Sequence, residues 1–269
     1  MNNLMNNLTF SDNLHISAMV QIGKLNATIN IENLADNLDI NKNIYYIEYG
    51  SKINKGVNNK KFSKKKQENR KYFYNQVTIH IYNELKENKR VNVKLFNNGR
   101  VQMTGINSDI IGETTLEIIL YELNQIKNKS IIFDINDDDD DDKEIKSTSK
   151  LETVLINSDF DIGSEINREI LHRLIIENGY LSSYEPCNYP GVNIKYYMNP
   201  LRNNFGICDC EKPCNGKGKD NSCKRITIAV FKSGKIIITG GRNKNQIQTS
   251  YEFITEFINE NRDEILVKK

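Results

Sequence analysis

The sequence predicts an α+β protein made of two pseudo-symmetric repeats, each with an antiparallel sheet and helices on one sheet face. The first indication is an internal duplication. Val93–Gly105 and Ile228–Gly240 share the order strand, Phe, two polar residues, Gly, a basic residue, and a strand ending in Thr-Gly. Such position-by-position agreement marks a repeated structural unit. The second is the alternation of apolar residues on both sides of the Gly turn, which predicts a β-hairpin in each copy.

The other elements follow in the same order in both repeats. Each repeat begins with a strand, "HISAMVQIG" or "LINSDFDIG", and a helix, "IENLADNL" or "INREILHRLIIENG". One further strand precedes each hairpin, Tyr74–Tyr82 and Tyr189–Tyr197, and a long helix with apolar residues at helical spacing follows it. The polar stretch "SSYEP" before Tyr189 reads as a turn. Consecutive strands with flanking helices indicate an antiparallel sheet covered on one face.

The uncovered sheet face is apolar where a solvent-facing sheet would be polar. The second hairpin contains "RITIAVF" and "KIIITGG", in which Ile, Ala and Thr occupy both alternating sets of positions. A large exposed apolar surface marks a binding site. We therefore expect this face to bind a partner.

Charge segregation divides the chain further, although its formal net charge is only +2. The segment from Ser51 to Lys71 carries nine Lys or Arg against a single Glu, and "DINDDDDDDKE" is nearly all acidic. Blocks of like charge are usually solvated arms. The predicted organisation is a flexible N-terminus (1–13), a first repeat (14–130) with a basic insertion (51–71), an acidic linker (131–150), and a second repeat (151–269) with a Cys-rich insertion (201–223).

Several classes of protein are disfavoured by the sequence. The start "MNNLMNNLTF" lacks the charged and apolar regions of a signal peptide. No apolar stretch approaches the roughly 20 residues of a membrane span. We therefore expect a soluble, intracellular protein. The three histidines show no metal-ligand or nucleophile spacing, and no Gly-rich phosphate loop is present, so we expect no enzymatic activity.

Four cysteines lie close together in the loop between two strands of the second repeat. They are Cys208, Cys210, Cys214 and Cys223. Four thiolates on a Gly- and Pro-rich loop can wrap a tetrahedral Zn²⁺, which would stabilise an insertion with few apolar residues. The spacing differs from the common paired Cys-x-x-Cys, so reduced thiols and disulfides remain alternatives. The fifth cysteine, Cys187, is not expected to be a ligand.

The second repeat carries motifs that point to a known family. The stretch "SSYEP…YPG" followed by "FKSGKIIITGGR" resembles the TATA-box-binding proteins, and the resemblance extends from Leu14 to Phe257 with insertions. Within that family the chain is most similar to the divergent versions of large DNA viruses. The resemblance implies a saddle-shaped, curved antiparallel sheet whose concave face lies on a widened DNA minor groove, with helices on the convex face.

The resemblance also implies aromatic side chains that insert between base steps and kink the duplex. The family's wedge positions match Tyr74 and Phe96 in the first repeat, and Tyr189 and Phe231 in the second. Both strand-opening wedges are Tyr where the family has Phe. Because a buried phenolic hydroxyl needs water or a phosphate as partner, we expect weaker kinking.

Other DNA-facing positions follow from the same match. They are Arg100, Gln102 and Thr104 in the first repeat, and Lys195, Ser233, Lys235, Ile237, Thr239 and Arg242 in the second. The family's paired Asn is replaced by His15 and Leu155, and Asp159 takes another groove-facing place. These replacements argue against a strict TATA preference, whereas non-specific minor-groove binding tolerates them better.

The implied function is that of a transcription initiation factor that binds and bends AT-rich promoter DNA. It would recruit a IIB-type initiation factor, through Glu185, and the RNA polymerase machinery, in the nucleus or a viral replication compartment of the cytoplasm. The competing interpretation is a protein–protein adaptor that lost DNA binding, favoured by Lys94, Gln102 and Asp159. The basic insertion is a solvated loop or a phosphate-binding arm, and the acidic linker is a flexible connection or a DNA mimic.

Overall fold

The computed structural model describes residues 13–57, 71–86, 90–135, 144–199, 201, 204–212, 214–218 and 222–267. The predicted N-terminal tail up to residue 12, residues 58–70 of the basic insertion, and residues 136–143 of the acidic linker lie outside them. The chain divides into two compact units. The N-terminal unit is Met19–Thr153, and the C-terminal unit combines Met1–Ala18 with Val154–Lys269.

The described part of the N-terminal unit contains one antiparallel sheet, a small two-stranded sheet and two helices. Its elements are β1 (His15–Lys24, within this unit from Met19), β2 (Ala27–Ile29), α1 (Ile31–Asn37), β3 (Ile44–Tyr49), β4 (Ile53–Gly56), β5 (Gln76–Tyr82), β6 (Arg90–Phe96), β7 (Arg100–Ile106), α2 (Asp109–Asn124), a 3₁₀ turn (Lys129–Ile131) and β8 (Phe133–Ile135). The main sheet has the order β1-β7-β6-β5-β3-β4, and β2 pairs with β8.

One face of this sheet forms the core of the N-terminal unit. Alternate residues of β5, β6 and β7, such as Ile79, Val93 and Met103, are 0% exposed. Helix α2 packs on β7 and buries Ile119 and Leu123, while α1 packs on β3 and β5. The strand residues between the buried ones remain half-buried. The sheet therefore has one covered and one open face.

The C-terminal unit repeats this arrangement with its own elements. They are β9 (Glu152–Asp161, within this unit from Val154), α3 (Arg168–Glu177), β10 (Leu181–Glu185), β11 (Tyr189–Asn199), β12 (Asn204–Gly206), β13 (Lys224–Val230), β14 (Lys235–Gly241), α4 (Lys244–Glu260) and α5 (Arg262–Ile265). The strand order is β10-β11-β13-β14-β9, and β12 pairs with β11 beyond the end of β10.

The duplication extends to the start of the long helix in each unit. The side chain of Ser108 accepts a hydrogen bond from the Ile111 backbone nitrogen at 3.4 Å, and that of Asn243 accepts one from the Gln246 nitrogen at 2.9 Å. These N-caps satisfy backbone donors that a helix leaves free at its first turn. Both long helices thus begin at the same distance from their Thr-Gly turns.

Three segments differ from the sequence-based reading. Tyr184 and Glu185, predicted to form a polar turn with Pro186, belong to strand β10, whose backbone pairs with β11 although the strand buries little apolar surface. Ile53–Gly56 of the basic insertion forms β4 against β3. Phe133–Ile135 of the acidic linker is strand β8, and Ile145 is 1% exposed, so both described ends of the linker are packed into the N-terminal unit.

No helix in the described part of the chain is long and apolar enough to cross a membrane.

Candidate nucleic-acid interface

On the open face of the C-terminal unit, paired residues of neighbouring strands form rows that run across the sheet. One row runs Asn193, Ala229, Ile237 and Asp159, and the next runs Lys195, Thr227, Thr239 and Asn157. Ile237 is 36% exposed, a large fraction for an isoleucine in the middle of a sheet. The predicted groove-facing residues Lys195, Ile237 and Thr239 therefore all lie on the face that no helix covers.

An aromatic pair stands at one end of this face. The rings of Tyr189 and Phe231 meet edge to face with centroids 5.7 Å apart, and Tyr189 is 39% exposed. Gly191 makes the pairing possible, since a Cβ there would lie 2.8 Å from the Tyr189 ring and 3.2 Å from the Phe231 ring. The Arg168 guanidinium donates to the Pro190 carbonyl and holds the strand start in place. Two rings are thus preorganised without being buried.

Four basic side chains lie near one another in the same unit. They are Lys195, Lys224, Arg225 and Arg242. Burial, and then the neighbouring Arg225, lowers the pKa of Lys195; burial, then Arg242 and Arg225, lowers the pKa of Lys224. Like charges that are brought together and partly desolvated favour an incoming anion. A phosphate backbone is an anion of the required kind.

The remaining predicted residues of the C-terminal unit make local contacts. Thr239 donates its hydroxyl proton to the Asn157 side-chain oxygen across the strand pair. The Ser233 hydroxyl accepts from the Lys235 backbone nitrogen at 3.5 Å, so it shapes the Gly turn while Lys235 stays exposed. Glu185, at the end of β10, accepts from the Asn188 amide at 2.9 Å and is exposed beside Tyr189.

The open face of the N-terminal unit has the same register and different chemistry. Its matching rows are Thr78, Lys94, Gln102 and Ile22, and then His80, Asn92, Thr104 and Val20. Lys94 and Gln102 stand where the C-terminal unit has Ala229 and Ile237. The predicted Gln102 and Thr104 do lie on the open face, and Arg100 is exposed at the Gly turn. This face is polar where its counterpart is apolar.

The first-repeat aromatic residues are not paired with each other. Tyr74 is 51% exposed; its ring meets Tyr49 edge to face at 5.7 Å, and its hydroxyl lies 3.0 Å from the Ser51 hydroxyl. Across the described part of the chain, no ring contact joins Tyr74 to Phe96. Gly50 lies against the Tyr74 ring, which approaches to 2.3 Å of where a Cβ would be. Tyr74 is thus held by the β3–β4 turn.

The four predicted cysteines come together in one cluster. The sulfur atoms of Cys208, Cys210, Cys214 and Cys223 all lie within 4.8 Å of one another. The closest pairs are Cys208 with Cys214 at 3.3 Å and Cys210 with Cys223 at 3.6 Å, and all five cysteines are free. Four zinc–sulfur bonds at tetrahedral angles would place the sulfurs about 3.8 Å apart. The cluster could therefore hold a metal ion.

The backbone around the cluster supports this role. Gly218 and Arg225 form backbone hydrogen bonds with Cys223 and Gly216, at 3.0 and 2.8 Å, which fold the loop back on the start of β13. Burial acts to raise the pKa of Cys214, but hydrogen bonds from the Cys208 thiol and the Gly216 backbone outweigh it and lower that pKa. Backbone donors aimed at a sulfur are suited to a thiolate ligand. Cys187 is exposed in a separate turn.

Sequence reasoning missed three residues at or beside this surface: Lys224, Arg225 and Arg168. Lys224 and Arg225 open β13, and the only signal for them is their basic character directly before the alternating stretch "ITIAV". Arg168 lies at the start of α3, and nothing in its local sequence shows that it reaches the Pro190 carbonyl. Contacts between elements far apart in sequence depend on how the elements pack.

Comparison with solved structures identifies the fold. The fold matches that of Methanococcus jannaschii TBP with a TM-score of 0.54, over 92% of this chain and 99% of that chain, at 17% sequence identity. The predicted α+β fold of the TBP kind is therefore confirmed, with large antiparallel sheets and few helices.

Sequence comparison narrows the class to a family. Residues 156–261 match the family model "Transcription factor TFIID (or TATA-binding protein, TBP)". A "TATA-box-binding protein-like" protein of Acanthamoeba polyphaga mimivirus is 27% identical over 267 residues, which cover 90% of this chain. The chain spans 64% of the length of that relative. Together with the fold, these matches support the resemblance of the chain to divergent viral TBP-like proteins.

Proposed function

We propose that the protein is a transcription initiation factor that binds duplex DNA in the minor groove and bends it. The observation that carries this proposal is the open face of the C-terminal unit, where the Tyr189–Phe231 pair borders an uncovered row with Ile237 exposed. An apolar wedge that unstacks a base step needs rings that are exposed and already oriented. The family match of residues 156–261 includes Tyr189, Phe231 and Ile237.

The cations of the same unit support contact with the DNA backbone. Arg225 lies close enough to lower the pKa of both Lys195 and Lys224, and Arg242 that of Lys224. The two lysines are also half-buried, which limits their hydration. Neutralising phosphates releases counterions, so binding must weaken steeply with salt. Each phosphate contact that is lost should reduce the salt slope by about one.

Gel shifts and a bending assay at several salt concentrations test the proposal, with TATA-containing and scrambled duplexes of equal length. Wild type is expected to shift duplexes with a salt slope that reports a few phosphates. Replacing both Tyr189 and Phe231 by Ala should reduce bending more than affinity, because the phosphate contacts remain. Tyr121→Ala, which removes an aromatic ring that is 59% exposed on α2, is the matched control and should change neither. A wild type that shifts no duplex at low salt refutes DNA binding.

A protein–protein adaptor is the second candidate, and two observations favour it. Lys94 and Gln102 make the N-terminal open face polar, and Asp159 places a carboxylate on the C-terminal one. An adaptor would bind its partner with no salt-dependent duplex contact. The same gel shifts therefore separate the two functions.

The proposed function includes recruitment of other initiation factors. Glu185 is exposed at the end of β10, where it accepts a hydrogen bond from Asn188 of the turn that follows. We assign it to a IIB-type initiation factor, with RNA polymerase machinery recruited in turn, in the nucleus or a viral replication compartment. Glu185→Arg should abolish binding of that factor to the DNA-bound protein while leaving the duplex shift unchanged. A pull-down with the purified factor would check this.

The cysteine cluster is proposed to hold a structural Zn²⁺. Cys208, Cys210, Cys214 and Cys223 would be the ligands, and the ion would supply cross-linking of the insertion to the start of β13. Metal analysis of protein purified without chelator should give one equivalent. Cys210→Ser should lose it, whereas Cys187→Ser, which alters the exposed cysteine outside the cluster, should retain it. Wild type without metal would disprove the assignment.

A further inference from the structure

We propose that Asp159 makes the C-terminal unit select a G·C base pair at one position of its site, against the A·T preference that the family resemblance implies. This inference rests on the proposed minor-groove binding and deepens it. Its subject is a single carboxylate on an otherwise neutral row of the open face.

The register of the sheet places Asp159 on that face. It stands opposite Ile237 of β14, while its neighbours Ser158 and Phe160 point into the core and are 0% and 5% exposed. Alternation along a strand then directs the Asp159 side chain away from the helices. Asp159 thus shares a row with Ile237, the most exposed apolar residue of β14.

The other unit lacks this carboxylate. Gln102 occupies the hairpin position that corresponds to Ile237, and its strand partner is Ile22. The duplicated position is therefore apolar in the N-terminal unit and acidic in the C-terminal unit. A carboxylate is not a structural requirement of this place in the fold.

The Asp159 carboxylate is also uncommitted within the described part of the chain. Its neighbour Asp161 accepts from the Gly163 backbone nitrogen at 2.8 Å, and the Asn157 oxygen accepts from Thr239. No such hydrogen bond, ion pair or ring contact engages Asp159 among those residues. It is half-buried, so docking of a ligand on this row would remove its remaining water.

The donors and acceptors of the minor groove determine which base pair the Asp159 carboxylate favours. An A·T pair presents only acceptors there, adenine N3 and thymine O2, whereas a G·C pair adds the N2 amino donor of guanine. A desolvated carboxylate facing acceptors alone is repelled and unpaired. Facing guanine, it accepts a charge-assisted hydrogen bond. The same residue therefore penalises A·T and favours G·C at its own base step.

Inosine supplies a test that changes one group only. In a set of otherwise identical A·T-rich duplexes, single pairs are replaced in turn by G·C or by inosine·C, which lacks the 2-amino group. Wild type is expected to bind the G·C duplex about tenfold more tightly than its inosine counterpart at one position. Asp159→Asn should reduce that ratio to about twofold, because an amide also donates to acceptors.

Asp161→Asn is the matched control. It removes the same charge from the same strand, but from a carboxylate already engaged by Gly163, so the guanine-to-inosine ratio should stay near wild type.

The outcomes separate this inference from the function on which it rests. If wild type binds and bends duplexes but distinguishes guanine from inosine nowhere, the inference alone is wrong. It is also wrong if Asp159→Asn strengthens binding equally on every duplex, since the carboxylate then only repels. If wild type binds no duplex at all, the proposed function itself is refuted.

Discussion

The two open faces of this protein have one register and different chemistry. In the C-terminal unit the central row carries Ala229 and Ile237, and in the N-terminal unit the same row carries Lys94 and Gln102. The two units thus share the pairing of their strands, but not the polarity of the side chains on the open face. The covered faces of the hairpins stay apolar in both units, with Val101 and Met103 in one and Ile236 and Ile238 in the other, because close packing favours apolar residues of fitting volume. Under the proposed function, the C-terminal unit would supply the apolar part of DNA binding.

The aromatic residues differ in the same way. Tyr189 and Phe231 contact each other, whereas Tyr74 contacts Tyr49 and Ser51 of a neighbouring turn. A ring already bonded within its own unit must leave those contacts before it can stack on a base. We therefore expect the two units to contribute unequally, and the following predictions test that inequality in order of decreasing effect.

The largest effect is expected at the connection between β11 and β13, which is longer than the corresponding connection of the N-terminal unit. β5 and β6 are joined over a few residues, whereas β11 and β13 are separated by the cysteine loop. Cys214→Ser should abolish metal binding and lower the melting temperature by several degrees, since structural metal binding contributes directly to folding free energy. Amide hydrogen exchange should rise in β12 and the start of β13 and stay unchanged in β5–β7. Equal exchange in both units would contradict this.

Next in size is the unequal effect of the two phenylalanines on DNA affinity. Phe231→Ala should cost about 2 kcal/mol of binding free energy, within the range measured for base–aromatic stacking, and Phe96→Ala should cost less than about 1 kcal/mol, below that range. Fluorescence anisotropy with a labelled duplex would measure both. Similar losses would show that the pairing seen in the C-terminal unit has no functional consequence.

A smaller effect should follow from separating the paired rings. Gly191→Ala places a Cβ where it meets both Tyr189 and Phe231. Overpacking of this kind costs about 1 kcal/mol or more, so the free energy of unfolding should fall and DNA bending should weaken. Pro190→Ala keeps the carbonyl that Arg168 contacts and should show neither change. An unaltered bend angle in Gly191→Ala would exclude a role for the ring geometry.

The smallest effect concerns the two tyrosine hydroxyls. Tyr74→Phe removes the hydrogen bond to Ser51 and should lower the free energy of unfolding by about 1 kcal/mol. Tyr189→Phe should leave it unchanged, since no such bond involves that hydroxyl in the described residues. Chemical denaturation would measure both. If release of Tyr74 also strengthens DNA binding, its attachment to the turn limits wedge insertion.

Much of the architecture could be predicted from the residues because it depends on local pattern. The duplication, both Gly hairpins, both long helices and the cysteine set were all predicted from spacing. The strand β10 was missed, since its side chains are mostly exposed and polar, so alternation left no hydrophobic signal. The register of the two opening strands relative to each other was also predicted wrongly. Aligning "HISAMVQIG" with "LINSDFDIG" matches Met19 to Asp159, whereas Met19 is 2% exposed in the core and Ile22 takes the corresponding row.

Sequence alone thus determined which segments are repeated, which faces are apolar and which residue types are available for binding, because these follow from periodicity within one element. Tertiary structure decided which side chains meet. The Tyr189–Phe231 contact, the attachment of Tyr74 to Ser51, the cations gathered near Arg225 and the four sulfurs within 4.8 Å all join positions distant in the chain. Their distances depend on strand register and on loop paths, and a single bulge or turn changes both without altering the local pattern.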